Sequence, residues 1–146
     1  MHKAAALLGV AALTLSGCVV YSDGGVGGGG GGATPFNFSP FVSYADAGCY
    51  YDGAYQDNIW YFEADVDDGD GPLDITQVYA DVYDGYTGQY IETFELYPTN
   101  DPYIWFSDWL EYSTYLDCYY RGYEVDIVAY DAYDAFDVVT VLPATF

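Results

Sequence analysis

The stretch NIWYFEADV, residues 58–66, alternates between two kinds of position along its length. One set is apolar and consists of Trp60, Phe62, Ala64 and Val66. The intervening set consists of Tyr61, Glu63 and Asp65. Because successive side chains of a β-strand point to opposite faces, this pattern is typical of a strand with one buried face. The stretch predicts a sheet that packs on one side and meets water on the other.

The same period of two recurs along the chain. It predicts strands at residues 36–44, 58–66, 75–84, 89–96, 104–112, 122–131 and 135–142. In the strand at 122–131 we expect Tyr123, Val125, Ile127 and Ala129 to face inward. Asp-Gly pairs and the segment PTNDP, residues 98–102, separate the strands and favour turns. Helical period is weak throughout, although residues 106–116 could form one or two turns. Short strands at this spacing predict a single antiparallel β-sandwich.

Two stretches resemble bacterial immunoglobulin-like and fibronectin-III-like modules. WYFEADVDDGDGPLDITQVYADVYD, residues 60–84, is similar to the second and third strands of such modules, joined by an Asp/Gly loop. YEVDIVAYDAYDAFDVVTV, residues 123–141, is similar to their closing hairpin. The resemblance implies an all-β, immunoglobulin-like sandwich of about seven strands.

The N-terminus has the features of an exported lipoprotein. Lys3 precedes an apolar run, residues 4–15, which is too short to span a bilayer but suits a secretory signal. LSGC, residues 15–18, resembles the bacterial lipobox. The resemblance implies a diacylglycerol on the Cys18 thiol, cleavage before Cys18 and acylation of the new amino group. Valines rather than aspartate at residues 19–20 imply the outer membrane, while a plain secreted protein is the alternative.

A glycine-rich segment separates this signal from the predicted domain. Eight glycines lie between Asp23 and Ala33, and Val26 is the one large apolar side chain among them. Such a chain behaves as a flexible coil and reaches roughly 20 Å. We therefore divide the sequence into a signal peptide (1–17), a lipidated cysteine with a flexible linker (18–35) and a β-sandwich domain (36–146).

Acidic residues dominate the charge of the chain. All 23 acidic residues and only one of the two basic residues, Arg121, follow Cys18, so the mature chain has a net charge of −22. This charge repels nucleic acid, whose binding requires Lys and Arg, and we expect contact with the membrane only through the lipid. The 19 tyrosines, eight phenylalanines and three tryptophans favour a folded chain over a disordered one.

Two cysteines remain once Cys18 carries lipid. An even number in an exported chain favours a disulfide between Cys49 and Cys118, although two separate buried thiols are the alternative. The bond would close a loop of roughly 70 residues and stabilise the fold by about 4 kcal/mol.

The residue inventory removes most kinds of catalysis. His2, the one histidine, leaves with the signal peptide, and Arg121 is the one basic residue of the mature chain. Nucleophiles activated by histidine, zinc sites that use histidine and Schiff bases on lysine are therefore excluded. Carboxylate pairs of the kind that hydrolyse glycosides remain. We expect a protein that is not an enzyme.

The acidic loop DVDDGDGPLD, residues 65–74, is a candidate calcium site. It supplies clustered oxygens from Asp65, Asp67, Asp68, Asp70 and Asp74. Calcium takes six to eight oxygen ligands, but the spacing of the helix-loop-helix calcium motif is absent because Gly69 and Thr76 occupy two of its acidic positions. A weak calcium site is therefore one prediction and a solvated turn the other. We expect no other cofactor.

Aromatic residues are dense between residues 103 and 120. Tyrosines there form a candidate binding surface, namely Tyr103, Tyr112, Tyr115, Tyr119 and Tyr120. Trp105 and Trp109 belong either to this surface or to the sandwich core. The sequence predicts a lipid-anchored, noncatalytic envelope protein that acts as a binding or surface module, with an envelope protein or polysaccharide as its partner. A carbohydrate-binding or calcium-dependent accessory domain is the alternative, and a glycosidase comes last.

Overall fold

The computed structural model describes residues 37–146, so the predicted signal peptide and glycine-rich linker lie outside the described residues. The described chain forms seven strands: β1 (Phe41–Asp52), β2 (Asp57–Asp67), β3 (Ile75–Asp84), β4 (Gln89–Pro98), β5 (Ile104–Leu110), β6 (Tyr123–Asp131) and β7 (Phe136–Val141). Two 3-10 turns, Pro72–Asp74 and Glu111–Ser113, are its helical elements. Neither has the length or the hydropathy to cross a membrane.

The seven strands form one sheet that folds over on itself into two facing parts. Their order is β1-β2-β5-β4-β3-β6-β7, and every neighbouring pair is antiparallel. Between β4 and β5 only Tyr97–Phe106 and Pro98–Trp105 pair, so the sheet folds over at this junction. A layer of β1, β2 and β5 then faces a layer of β4, β3, β6 and β7. The predicted all-β, antiparallel domain of seven strands is confirmed, while its kinship with immunoglobulin-like modules stays a prediction.

The core lies between the two layers and follows the period of two. The inward positions predicted in β2 and β6 are all buried. Across the core, the ring of Phe62 stacks on Phe94 at a centroid distance of 4.7 Å, and Trp60 meets the edge of Tyr123 at 5.7 Å. Burying one such side chain contributes about 1.5–3 kcal/mol, so these aromatic pairs are a large part of what holds the layers together.

The first strand begins later than its sequence predicts. Residues 36–44 were expected to form it, but β1 runs from Phe41 to Asp52. Pro40 precedes the strand because proline has no N–H to donate to a ladder. At the other end the strand extends through Gly48, whose backbone pairs with Ala144 beyond β7. A Cβ on Gly48 would lie 2.9 Å from both the Ala144 carbonyl oxygen and the Tyr61 ring, so this close approach requires glycine.

The segment 106–116 forms no α-helix. β5 ends at Leu110, and the single 3-10 turn Glu111–Ser113 follows. The two tryptophans of this region differ, because Trp105 is buried in the core whereas Trp109 is 36% exposed. Trp109 still lies on the core side, because it pairs with buried Trp60 and its ring is 5.6 Å from that of Phe94. Neither tryptophan therefore belongs to the predicted tyrosine surface.

Cys49 and Cys118 form the predicted disulfide, with their Cα atoms 5.7 Å apart. Cys49 lies within β1, opposite Trp60 of β2, and Cys118 lies in the loop that precedes β6. The bond therefore links the edge of one layer to the loop that leads into β6 of the other layer.

Alternating strand directions distribute the loops between two ends of the sandwich. The aspartate end, as we name it, holds residues 37–40, 68–74, 99–103 and 132–135. The disulfide end holds residues 53–56, 85–88, 111–122 and 142–146. The described chain enters at the aspartate end through Asn37.

Candidate functional site

The outer surface of the four-stranded layer carries a continuous set of aromatic side chains, which we name the tyrosine face. Its members come from all four strands of that layer: Tyr79, Tyr83, Tyr90, Tyr97, Tyr130 and Phe136. Alternate positions of each strand point outward, because the intervening residues, such as Val78, Ala80 and Val82 of β3, fill the core.

Four of these rings form a band across the layer. Tyr79 of β3 meets Tyr130 of β6 edge-on at 6.4 Å, and Tyr130 meets Phe136 of β7 at 5.7 Å. Tyr97 of β4 lies diagonally across from Tyr79, since Tyr79 pairs directly with Glu95. Strands in a sheet are about 4.8 Å apart, so the band is about 14 Å long. Its two outer members are the more exposed, Tyr97 at 53% and Phe136 at 58%.

A second, shorter row lies parallel to this band. Tyr83 of β3 and Tyr90 of β4 pair across the strands, with their rings 5.8 Å apart and nearly perpendicular. Burial, followed by the charges of Asp81 and Asp126, raises the pKa of Tyr83. Like any tyrosine at neutral pH, Tyr83 keeps its hydroxyl proton and can donate a hydrogen bond.

Two carboxylates lie between the rows of rings. Asp81 of β3 and Asp126 of β6 are directly opposite each other in the ladder. Each accepts a hydrogen bond from a threonine on the flanking strand, Asp81 from Thr93 and Asp126 from Thr140. Two like charges directly opposite each other destabilise a sheet unless hydrogen-bond donors or a cation compensate them. The pair offers an outward-facing group of acceptors framed by rings.

The tyrosines predicted as a binding surface do not form one group. Tyr112, Tyr115, Tyr119 and Tyr120 lie in the loop 111–122 at the disulfide end. Tyr103 lies at the aspartate end, and the seven residues of β5 separate it from the others by about 23 Å. None of the five belongs to the tyrosine face.

Tyr120 differs from its neighbours because it packs inward. Its ring lies 4.7 Å from that of Tyr123, and its hydroxyl donates a 2.5 Å hydrogen bond to Asp84. That bond, with burial, raises the pKa of Tyr120 to about 12. Tyr120 is thus a structural residue, whereas Tyr112, Tyr115 and Tyr119 are more than two-thirds exposed.

The local density of aromatic residues in the sequence predicted a surface at residues 103–120. It did not predict the tyrosine face, because the members of that face are spread over nearly 60 positions. The available signal was the alternation within single strands, for example Tyr79, Asp81 and Tyr83 at successive outward positions. Assembling the face also requires the strand order, which places β3 between β4 and β6.

The three-stranded layer has a pocket of about 290 Å³ near the disulfide end. Its lining residues are Tyr55, Ile59, Asp108, Trp109, Leu110 and Ser113. Nearby, the Tyr61 hydroxyl donates a 3.0 Å hydrogen bond to Asp46, and burial together with that bond raises the pKa of Tyr61 to about 12. The pocket offers a single carboxylate, and fewer aromatic rings than the tyrosine face.

The acidic loop brings together three of its five predicted ligands. Carboxylate oxygens of Asp68, Asp70 and Asp74 all lie within 4.8 Å of one another. Asp65 and Asp67 belong to β2 instead and lie in a separate cleft beside Ser43, Asp101 and Tyr103. Burial, and then the charge of Asp68, raises the pKa of Asp74. The three grouped carboxylates are hard oxygen ligands suited to a cation.

Cys18, the predicted lipidation site, lies outside the described residues. The chain matches no protein-family model, no curated protein and no solved structure. The tyrosine face and the Asp68–Asp70–Asp74 group are therefore the features on which a functional proposal can rest.

Proposed function

We propose that the protein is a noncatalytic binding module of the bacterial cell envelope, that lipid on Cys18 anchors it to the outer membrane, and that its tyrosine face binds a neutral polysaccharide. The observation that carries this proposal is the band of four rings across β4, β3, β6 and β7.

The rings supply a flat and rigid contact surface. Tyrosine presents a large apolar ring with a polar hydroxyl and loses little conformational freedom on binding. An apolar neighbour extends the surface, because Val138 of β7 is 45% exposed. Exposed apolar patches of this kind mark interaction sites on soluble domains. The C–H faces of sugar rings suit the electron-rich faces of aromatic rings.

Asp81 and Asp126 supply polar recognition between the rows. Ionised carboxylates accept hydrogen bonds and do not donate them, so they suit the hydroxyl groups of a sugar. The threonine bonds use part of their accepting capacity and hold them in place. With a mature net charge of −22, the domain repels anionic polymers. An uncharged ligand with many hydroxyl groups can donate hydrogen bonds to these carboxylates and is not repelled by the negative charge.

The proposed anchor and the proposed binding surface use different parts of the chain. The tyrosine face is built from β3, β4, β6 and β7 and includes no residue upstream of Asn37. Two or more acyl chains suffice for stable anchoring, which is what lipidation at Cys18 would provide.

The test is affinity electrophoresis of the full-length protein in detergent, through gels that contain neutral envelope polysaccharides. We expect wild type to be retarded and Tyr79→Ala and Tyr130→Ala to lose most of the retardation. Tyr112→Ala is the matched control, because Tyr112 is 78% exposed but lies off the face. It should behave as wild type.

Four results would contradict the proposal. One is free migration of wild type in every neutral polysaccharide, and another is loss of retardation in Tyr112→Ala while Tyr79→Ala keeps it. Release of reducing ends from the polysaccharide, abolished in Asp81→Asn, would replace a binding module with a glycosidase. Binding to a basic protein that disappears with salt would instead assign the face to a protein partner.

A further inference from the structure

The Asp68–Asp70–Asp74 group has the dimensions of a calcium site. Calcium binds oxygen at about 2.4 Å, so two ligands on opposite sides of one ion are about 4.8 Å apart. The grouped carboxylate oxygens lie within 4.8 Å of one another. A single ion can therefore touch all three residues after a shift of at most a few tenths of an ångström, roughly, in their side chains.

A second observation points to a missing positive partner. Asp68 is only 6% exposed, and its Oδ2 atom is buried without a hydrogen-bond donor. Its other oxygen, Oδ1, accepts the N–H of Asp70 at 2.7 Å. The Oδ2 atom of Asp74 is likewise buried and has no donor. Buried carboxylate oxygens are normally satisfied by donors or by metal ions, so two such atoms in one group require an explanation.

The described chain has no cation to supply this charge. Arg121 is the one basic side chain in residues 37–146, and its guanidinium donates to the Phe146 carbonyl at the opposite end of the sandwich. Asp131 is buried at the aspartate end as well, but its carboxylate already accepts bonds from Asn37, Tyr133 and Ala135. Asp131 therefore adds negative potential without being needed as a ligand.

We propose that one calcium ion binds between Asp68, Asp70 and Asp74 and fastens the start of the domain to its acidic loop. The ligand class follows from the oxygens: zinc prefers nitrogen and sulfur, and magnesium demands a near-ideal octahedron. This site is separate from the tyrosine face and does not depend on the function proposed for that face.

The contacts of the first described residues show what the ion would hold. The Phe38 N–H donates a 2.8 Å hydrogen bond to Oδ2 of Asp70, and the Asn37 amide donates to Asp131. The Phe38 side chain covers Gly69, where a Cβ would lie 2.7 Å from the ring. Neutralising three carboxylates at this point removes their mutual repulsion. It thereby stabilises the loop against which Asn37 and Phe38 pack.

Calorimetric titration and thermal unfolding of the full-length protein in CaCl₂ test the proposal, with NaCl of equal ionic strength as reference. We expect one site with a dissociation constant of about 10⁻⁴ to 10⁻³ M, in the range of extracellular modules. At ten times that concentration the ratio of folded to unfolded protein rises about 11-fold, which appears as a higher melting temperature.

Variants assign the ligands. Asp68→Asn and Asp70→Asn should abolish the calcium-specific rise in melting temperature. Asp67→Asn is the matched control, since it removes the same charge from the same stretch but lies outside the grouped carboxylates. Asp70 is exposed, so Asp70→Asn should fold as wild type does even if Asp68→Asn is unstable.

Several outcomes would overturn the proposal. An unchanged melting temperature together with no heat of binding removes the site. An equal rise in wild type and Asp70→Asn would show diffuse screening by divalent ions rather than ligation. Equal affinity for MgCl₂ would refute the assignment to calcium.

Discussion

The Tyr120 hydroxyl and the Asp84 carboxylate form a 2.5 Å hydrogen bond that ties the loop before β6 to the end of β3. Asp84 also accepts the N–H groups of Tyr86 and Thr87 in the turn that follows β3. The bond to Tyr120, with these N–H groups, lowers the pKa of Asp84. One carboxylate thus organises two adjacent loops of the disulfide end.

The first prediction concerns alkaline pH. Tyr61 and Tyr120 have pKa values raised to about 12, whereas an unfolded tyrosine ionises near pH 10. Because the folded pKa is the higher one, the stabilisation is complete below about pH 10 and is lost as pH rises towards 12. Phenolate absorbance should show late ionisation that Tyr61→Phe and Tyr120→Phe each reduce. Ionisation of all tyrosines near pH 10 in the folded protein would contradict this.

The second prediction concerns the disulfide. Cys49 and Cys118 are 69 residues apart, and a cross-link over such a loop stabilises a fold by about 4 kcal/mol. The double variant Cys49→Ser/Cys118→Ser should unfold at a clearly lower urea concentration than oxidised wild type. Reductant should lower the midpoint of wild type but not that of the variant. Equal midpoints for oxidised and reduced wild type would show that the bond contributes nothing.

The third prediction compares two phenylalanines. Phe62 is fully buried between the layers, and Phe62→Ala should lower the free energy of unfolding by about 3–5 kcal/mol. Phe136 is 58% exposed on the tyrosine face, and Phe136→Ala should change it by about 0.5 kcal/mol or less. Urea unfolding measures both. In the proposed function, Phe136→Ala should also weaken retention by polysaccharide, so binding and stability separate at this position.

The fourth prediction concerns salt. With 23 acidic residues and Arg121 alone after Cys18, repulsion dominates the electrostatics of the folded state. Repulsion acts over about 30 Å at 0.01 M ionic strength but over about 8 Å at 0.15 M. The melting temperature, measured without divalent ions, should therefore rise between about 10 mM and 300 mM NaCl. A flat or falling curve would mean that repulsion is not the dominant electrostatic contribution.

The fifth prediction concerns the anchor. If Cys18 carries lipid, Cys18→Ser should leave an uncleaved precursor that no longer takes up labelled fatty acid. Fractionation of cells and metabolic labelling measure both effects. Cys118→Ser is the control for loss of a cysteine and should still be processed. A Cys18→Ser product that is cleaved and labelled as in wild type would refute the lipoprotein assignment.

Much of the fold is readable from the sequence, because β2 and β6 alternate cleanly between core and solvent. The start of the domain was harder to predict. Residues 45–52 include alanine, aspartate and glycine, which have low strand propensity, and they join β1 through pairing with β2, the bridge to Ala144 and the disulfide at Cys49. Contacts distant in sequence decide the conformation there. Ile75 and Val78 break the strict alternation in β3, and a bulge between Ile75 and Gln77 restores both to the core.

The two candidate sites also differ in how far the sequence predicts them. The Asp68–Asp70–Asp74 group lies within seven consecutive residues, so local composition was enough to suggest it. Composition could not separate these residues from Asp65 and Asp67, because that depends on where β2 ends. The tyrosine face depends on which strands are neighbours, and a cluster such as Tyr97, Tyr79, Tyr130 and Phe136 has no signature in linear spacing.

The Cys49–Cys118 bond also determines how the domain responds to mechanical force. When the two ends of the described chain are pulled apart, the tension between them cannot pass through the 69-residue separation that the bond closes. Only residues 37–48 and 119–146 can be extended by this tension, and their combined extended length is about 140 Å at roughly 3.5 Å per residue. A reduced domain could lengthen by between two and three times as much. The cross-link therefore shields β2 to β5 from tension applied between the two ends of the chain.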